Sequence, residues 1–286
     1  MKLINKGMSG DQKYRIVSKH NECFLLRLSD ICELKRKKEE FLLLQKFYGL
    51  NIPMPKAVDF GVCNDGKKVY TLLTWIKGNE AEELVPTLFP MEQYELGKFA
   101  GQVLRKIHQL VPTNVDKSWK ERYFSVIDER LEAFCKEGDR FQGYETMLEY
   151  IENNRVLLDH RPQTYCHGDY HMGNLILSPD KKLFVIDWHT VDFENIGDPW
   201  YEFNRIGMEY PYFASGQIDG YFDNNVPDDF WNLLAYYLSV SSITSIVWAK
   251  YFAPDRLSSI IKLNTDTLKW FDHMKCTVPT WYVHTK

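Results

Sequence analysis

One stretch of this chain carries side chains that could do chemistry together: His167-Gly168-Asp169-Tyr170-His171-Met172-Gly173-Asn174. Asp169 and Asn174 stand five residues apart. Asp187 ends the second of two apolar runs that follow, Asn174 to Leu177 and Leu183 to Asp187, joined through Ser178-Pro179-Asp180. A carboxylate beside two further oxygen donors can take a hydroxyl proton while a hard divalent cation is held nearby. Moving a phosphoryl group onto an alcohol asks for little more than charge neutralisation, a proton acceptor and alignment of the two reactants. On this reading Asp169 orients the hydroxyl and accepts its proton, and Asn174 and Asp187 offer the oxygen ligands that Mg²⁺ prefers.

His167 and His171 have the spacing of a zinc pair when both lie on a helix. Here Gly168 and Gly173 interrupt the segment, and neither a third His nor a Cys pair is close in sequence. His167 is therefore expected to hold the loop by hydrogen bonds.

The surrounding elements must position these groups. Residues 3 to 30 alternate short apolar runs with Gly, Ser and Asn, and His20-Asn21-Glu22 reads as a hairpin turn, so a small antiparallel sheet is expected. A helix follows over Glu33 to Tyr48, stopped by Gly49 and by Ile52-Pro53-Met54-Pro55. Val58-Asp59-Phe60-Gly61 and Val69 to Leu73 flank an Asn64-Asp65-Gly66 turn, the mark of another hairpin. Beyond Gly78 the period becomes helical: Tyr94 to Leu110, Glu121 to Cys135, Tyr144 to Leu158, Phe230 to Phe252 and Arg256 to Met274. Strands, helix, strands, then helices predict an α+β chain rather than a doubly wound parallel sheet.

At 286 residues the chain is long enough for a large core. Its net charge of −4 excludes the basic excess of a general nucleic-acid binder. The six cysteines are scattered without a C-x-x-C pair, which argues against a disulfide framework and a zinc site. Phe230 to Ala249 is uncharged for 20 residues but carries Asn232 and several Ser and Thr, so it reads as a buried core helix rather than a membrane span. With no signal-peptide pattern at Met1-Lys2-Leu3-Ile4, a cytoplasmic protein free of membrane is expected, as a monomer or homodimer.

His167 to Asn174, Ile186-Asp187-Trp188 and Gly197-Asp198-Pro199-Trp200-Tyr201-Glu202 resemble the signature blocks of the aminoglycoside phosphotransferase and choline kinase superfamily. These small-molecule kinases are distant relatives of protein kinases, whose H-R-D-x-x-x-x-N loop has the same Asp-to-Asn spacing. Gly168 in place of that loop's Arg is typical of the small-molecule branch. The resemblance implies a bilobal protein-kinase-like fold: a nucleotide-binding lobe over 1–73, a hinge over 74–78, and a larger, mainly helical catalytic and acceptor-binding lobe over 79–286. It also implies ATP or GTP as donor, Mg²⁺ on Asn174 and Asp187, Asp169 as base, and Asp198 as a brace of the catalytic loop.

On the nucleotide side, Lys6-Gly7-Met8-Ser9-Gly10-Asp11 departs from G-x-G-x-x-G, although its glycines and Ser9 can still present N–H groups to phosphate. Arg27 stands where the kinase pattern has Lys, with Glu40 or, one residue earlier, Glu39 as its ion-pair partner. Thr74 and Ile76 would meet the purine through main-chain groups. The Arg27 departure is the one feature that favours a nucleotide-binding module without turnover.

On the acceptor side, residues 190–230 hold nine acids against one base, a balance of −8, whereas Met1 to Glu40 holds ten Lys and Arg against six acids. Such an acidic segment would draw a small cationic acceptor. An aminoglycoside-type antibiotic is the first expectation, with a resistance role, and choline, ethanolamine or another metabolite the alternative. Asp192, Glu194, Glu202 and Trp200 are the candidate contacts, because aromatic faces also attract cations.

Overall fold

The computed structural model describes residues 1–5, 10–188 and 195–283. Its contacts divide the α+β chain into two compact units. The first comprises Met1–Leu88 and His167–Asn195, and the second Phe89–Cys166 and Ile196–Lys286. The stretch with the chemistry thus belongs to the same unit as the N-terminal sheet.

In the first unit, β1 (Lys2–Ile4), β2 (Gln12–Val17), β3 (Cys23–Asp30), β4 (Ala57–Cys63) and β5 (Lys68–Thr74) form an antiparallel sheet of order β1-β2-β3-β5-β4. Its hairpins turn where Asn21, Asn64, Asp65 and Gly66 adopt positive φ, the residue types that tolerate it best. The β2–β3 register sets Lys13 opposite Arg27. Helix α1 (Leu34–Tyr48) packs on this sheet with Lys37, Glu40, Leu43, Leu44 and Phe47 buried, one stripe at helical spacing that begins charged and ends apolar. After residues 75–78, still within the first unit, come β6 (Asn79–Glu80) and α2 (Ala81–Leu84). Strand β6 pairs with the hairpin that carries the site, and Gly78 packs so close that a β-carbon there would lie 2.4 Å from the Leu177 carbonyl oxygen.

The second unit is helical: α3 (Pro90–Ile107), α4 (Trp119–Glu137), α5 (Tyr144–Asn153), α6 (Pro211–Phe222), α7 (Asp228–Phe252) and α8 (Leu257–Trp270). A two-stranded ribbon joins β7 (Thr164–Tyr165), and further along the chain the hairpin of the first unit supplies β8 (Leu175–Leu177) and β9 (Leu183–Val185), before β10 (Ile196–Gly197) returns to pair with β7. Helix α7 is long and apolar enough to cross a membrane, and 72% of its most apolar window is buried inside the protein, as a core helix requires.

Helices α3 and α6 cross backbone to backbone through four glycines. A β-carbon on Gly97 or Gly101 would stand 2.0 Å from the carbonyl oxygen of Phe213 or Gln217, and one on Gly216 or Gly220 would meet that of Tyr94 or Lys98 at 2.1 or 2.0 Å. Backbone atoms cannot rotate aside as a side chain can. Gly216→Ala is therefore expected to force the helices apart and lower stability by about 1–3 kcal/mol, with Gly216→Val worse. Urea unfolding should show a lower midpoint with an unchanged slope.

Candidate active site

The catalytic stretch turns at Gly168, whose φ of +85° is open to glycine and strained for other residues. His167 is fully buried. Its Nε2–H donates to the Ile186 carbonyl at 2.9 Å and its Nδ1 accepts the Asp169 N–H at 3.2 Å, which assigns one neutral tautomer. The ring packs against Trp188 and Tyr170, with centroids at 4.8 and 5.6 Å. His167 thus ties the turn before Asp169 to the strand that leads into Asp187.

Asp169 and Asn174 are joined directly. Asn174 Nδ2 donates to the Asp169 carbonyl at 2.9 Å and to its carboxylate Oδ2 at 3.0 Å. The Ile186 N–H donates to the Asn174 carbonyl at 2.9 Å, so the residue before Asp187 is fastened to Asn174 across the hairpin. Asp187 itself takes a φ of 57°, a left-handed conformation that Asp tolerates. With its Nδ2 turned to Asp169, Asn174 keeps Oδ1 as a donor, and Asp187 adds a carboxylate that is 37% exposed. Neutral amide and carboxylate oxygens are the donor set a hard divalent ion takes, so these residues fit Mg²⁺.

His171, to which the sequence reading gave no role, belongs to the same cluster. Its Nδ1 accepts the Gly173 N–H at 3.1 Å and its Nε2 lies 3.4 Å from Asp169 Oδ2. His167 and His171 therefore turn to different partners rather than to a shared ion. Among the described residues the transition-metal-capable cluster is His108, Cys166 and Glu202, and there the two His108 ring nitrogens already engage Tyr221 and Glu202.

On the nucleotide side Arg27 pairs with Glu40, Nη1 to Oε1 at 2.9 Å, while Glu39 is exposed. The pair is half of a larger set. Arg27 Nε and Nη2 both donate to Asp11 Oδ2 at 2.9 and 2.6 Å, and Lys37 Nζ reaches Asp11 Oδ2 at 2.6 Å and Glu40 Oε2 at 3.2 Å. Ser29 donates to Asp11 Oδ1 at 2.6 Å. Burial alone would raise the Asp11 carboxyl, but Arg27, Lys37 and Ser29 outweigh it and hold it down at about 2. Burial likewise works against the Arg27 charge, and Glu40 and Asp11 more than reverse that, raising its pKa. Asp11 and Lys37 were not among the sequence candidates. A loop Asp and a basic residue on a helix look like solvated charges until the fold brings them together.

Thr74 ends β5 with its N–H donated to the Lys56 carbonyl at 3.0 Å and its hydroxyl accepting the Lys56 N–H at 2.8 Å. The Thr74 N–H is thus committed inside the sheet and is not offered to a purine. Ile76 lies in the half-buried stretch between β5 and β6. Ser9, Asp192 and Glu194 lie outside the described residues.

The remaining described candidates, Asp198, Trp200 and Glu202, lie in the second unit. Asp198, expected to brace the catalytic loop, is fully buried within the second unit. It takes a bidentate pair from Arg161 at 2.7 and 2.9 Å, the Tyr237 hydroxyl at 2.8 Å and the Trp200 N–H at 3.0 Å. Burial and then Asp198 push the Tyr237 phenol well above its ordinary value. Glu202, expected at the acceptor, is buried with its Oε2 3.1 Å from His108 Nε2. Trp200 faces a cation of the protein's own, the Arg161 guanidinium 4.0 Å from the ring centroid, with Phe222 and Phe230 in T-shaped contact at 5.6 Å. Asp219, another of the nine acids, is buried between the hydroxyls of Tyr94 at 2.7 Å and Tyr282 at 2.5 Å.

Residues 1–227 match the model of the phosphotransferase enzyme family, APH. The chain is 24% identical over 206 residues to acyl-CoA dehydrogenase family member 10 of Mus musculus, covering 63% of this chain. It spans only 18% of that curated relative's length. Among solved structures, a thermostable mutant of aminoglycoside phosphotransferase APH(4)-Ia is 14% identical, with 94% of each chain covered and a TM-score of 0.63. A choline/ethanolamine kinase family protein from Mesorhizobium loti is 13% identical, covering 92% of this chain and 89% of its own, with a TM-score of 0.61. Amicoumacin kinase in complex with AMP-PNP, Ca²⁺ and Ami is 12% identical, covering 97% and 90%, with a TM-score of 0.58. These likenesses establish the protein-kinase-like fold. The match over residues 1–227 establishes the family: the chain belongs to the phosphotransferase enzyme family.

Proposed function

We propose that this chain transfers the γ-phosphoryl group of ATP or GTP to a hydroxyl of a small, cationic acceptor, most closely an aminoglycoside-type antibiotic. The observation that carries the reading is the Asn174 amide donating to both the carbonyl and the carboxylate of Asp169, in a hairpin that fastens Asp187 alongside. Asp169 takes the proton as the acceptor oxygen bonds to the γ-phosphorus and the bond from that phosphorus to the β–γ bridging oxygen breaks. Asn174 orients the carboxylate through Nδ2 and, with Asp187, supplies oxygen ligands to a divalent ion. Such an ion, Mg²⁺ on this reading, neutralises phosphate charge when bound. His167 holds the turn, so little reorganisation is needed at the moment of transfer.

The acceptor class rests on the acidic balance of residues 190–230 and is supported by the family's aminoglycoside and amicoumacin kinases. Asp198, Glu202 and Asp219 are buried, so the acids of this segment that could meet a cation are among the other six. The aromatic cage that choline would need competes at Trp200 with Arg161, whose guanidinium already covers a ring face.

A coupled ADP- or GDP-release assay with Mg²⁺, run across aminoglycosides, amino alcohols and sugars, tests the proposal. Turnover should require the divalent ion, stop on chelation, and disappear in Asp187→Ala while the variant's melting temperature stays near wild type. Nucleotide binding without turnover on any acceptor would favour a non-catalytic nucleotide-binding module instead.

A further inference from the structure

The cation expected to anchor the nucleotide, Arg27, is committed elsewhere. Three of its five N–H donors are held by Asp11 and Glu40, and its side chain is only 11% exposed. With Lys37 counted, the buried set has two positive and two negative members and no net charge to offer a phosphate. Arg27 also cannot leave without stranding two buried carboxylates on Lys37 alone, a costly arrangement in low dielectric.

Its cross-strand neighbour is placed differently. Lys13 on β2 is directly opposite Arg27 on β3, so the two side chains project from the same face of the sheet. The Lys13 side chain is 12% exposed, yet its ammonium faces Asp187 at 4.0 Å, beyond hydrogen-bonding distance of that carboxylate. A compact ammonium on a flexible stem, drawn toward a metal-ligating carboxylate without being bonded to it, can turn to a phosphate oxygen at little cost. We infer that Lys13, not Arg27, is the cation that meets the nucleotide's phosphates. In this division of labour Arg27 is a positioning residue that clamps Asp11, at the end of the glycine-containing loop, to α1 through Glu40.

The inference rests on the nucleotide-dependent reading above, and direct binding separates the two. Titration of wild type, Lys13→Met and Lys13→Arg with a fluorescent ATP analogue in Mg²⁺ is the measurement, beside melting temperatures without nucleotide. Lys13→Met is expected to weaken binding about 10- to 100-fold, the scale for losing a charged hydrogen bond. Its melting temperature should stay close to wild type, and Lys13→Arg should keep binding within a few-fold. Arg27→Gln should mainly lower the melting temperature. Wild-type affinity in Lys13→Met, or equal loss in Lys13→Met and Lys13→Arg, overturns the assignment of Lys13. If wild type itself binds no nucleotide, the proposed function falls first.

Discussion

Asp169→Ala is expected to lower turnover about 10²–10⁴-fold while leaving nucleotide affinity and melting temperature near wild type, the scale on which a positioned proton acceptor acts. Asp169 lies on a short turn, where its carboxylate accepts from the Asn174 amide at 3.0 Å with His171 Nε2 3.4 Å away. Asp169→Asn keeps the shape and loses the charge, so turnover should fall about as far, because an amide cannot take the hydroxyl proton. Steady-state kinetics should show the loss in kcat with KM for the nucleotide little changed, the signature of an interaction made in the transition state. Near-wild-type turnover in either variant would remove Asp169 from the role of base.

The part of this site that was legible in the sequence is local. Asp169, Asn174 and Asp187 fall within 20 residues, and an apolar-turn-apolar pattern between them leaves few ways to fold other than a hairpin that brings them together. His167 was readable for the same reason, since Gly168 between the histidines and Gly173 just after them argue against a helical zinc pair. Arg27 and Glu40 were readable from the order of strand and helix, and the buried stripe of α1 decides between Glu40 and Glu39.

Long-range pairing was not legible. Nine acids in one segment look like a field directed at solvent, but the partners of Asp198, Glu202 and Asp219 are Arg161, His108 and the pair Tyr94 and Tyr282, each far away in the chain. Charge counting sees the acid and not the group that neutralises it. The glycines of α3 and α6 were overlooked similarly: an apolar-periodicity reading treats Gly97 and Gly101 as gaps, whereas the helix crossing depends on them. Helix ends moved for local reasons. Pro90 starts α3 ahead of Tyr94 because a first-turn proline needs no N–H partner, and Glu92 reaches back to the Phe89 N–H. Helix α8 stops at Trp270, before Asp272, His273 and Met274 enter positive φ.

Asp11→Ala is expected to destabilise the protein by about 3–5 kcal/mol at neutral pH, the range for breaking a buried ion pair by deleting one partner. Asp11 Oδ2 receives Arg27 twice and Lys37 once, and without it two buried cations share Glu40. The loss should depend on pH with a definite sign. The Asp11 carboxyl titrates near 2 in the folded protein against an ordinary value of 3.8, so its contribution is complete above about pH 4 and fades as pH falls toward 2. Urea unfolding at pH 7, 4 and 3 should show the gap between wild type and Asp11→Ala narrowing over the acid steps. A gap that is constant with pH would mean that packing, not charge, holds this corner. Lys37→Met added to Asp11→Ala deletes one charge of each sign and leaves Arg27 on Glu40, so the double variant should recover part of the loss. That recovery would show that it is the neutrality of the set that keeps Arg27 buried, and hence that leaves the phosphates to another cation.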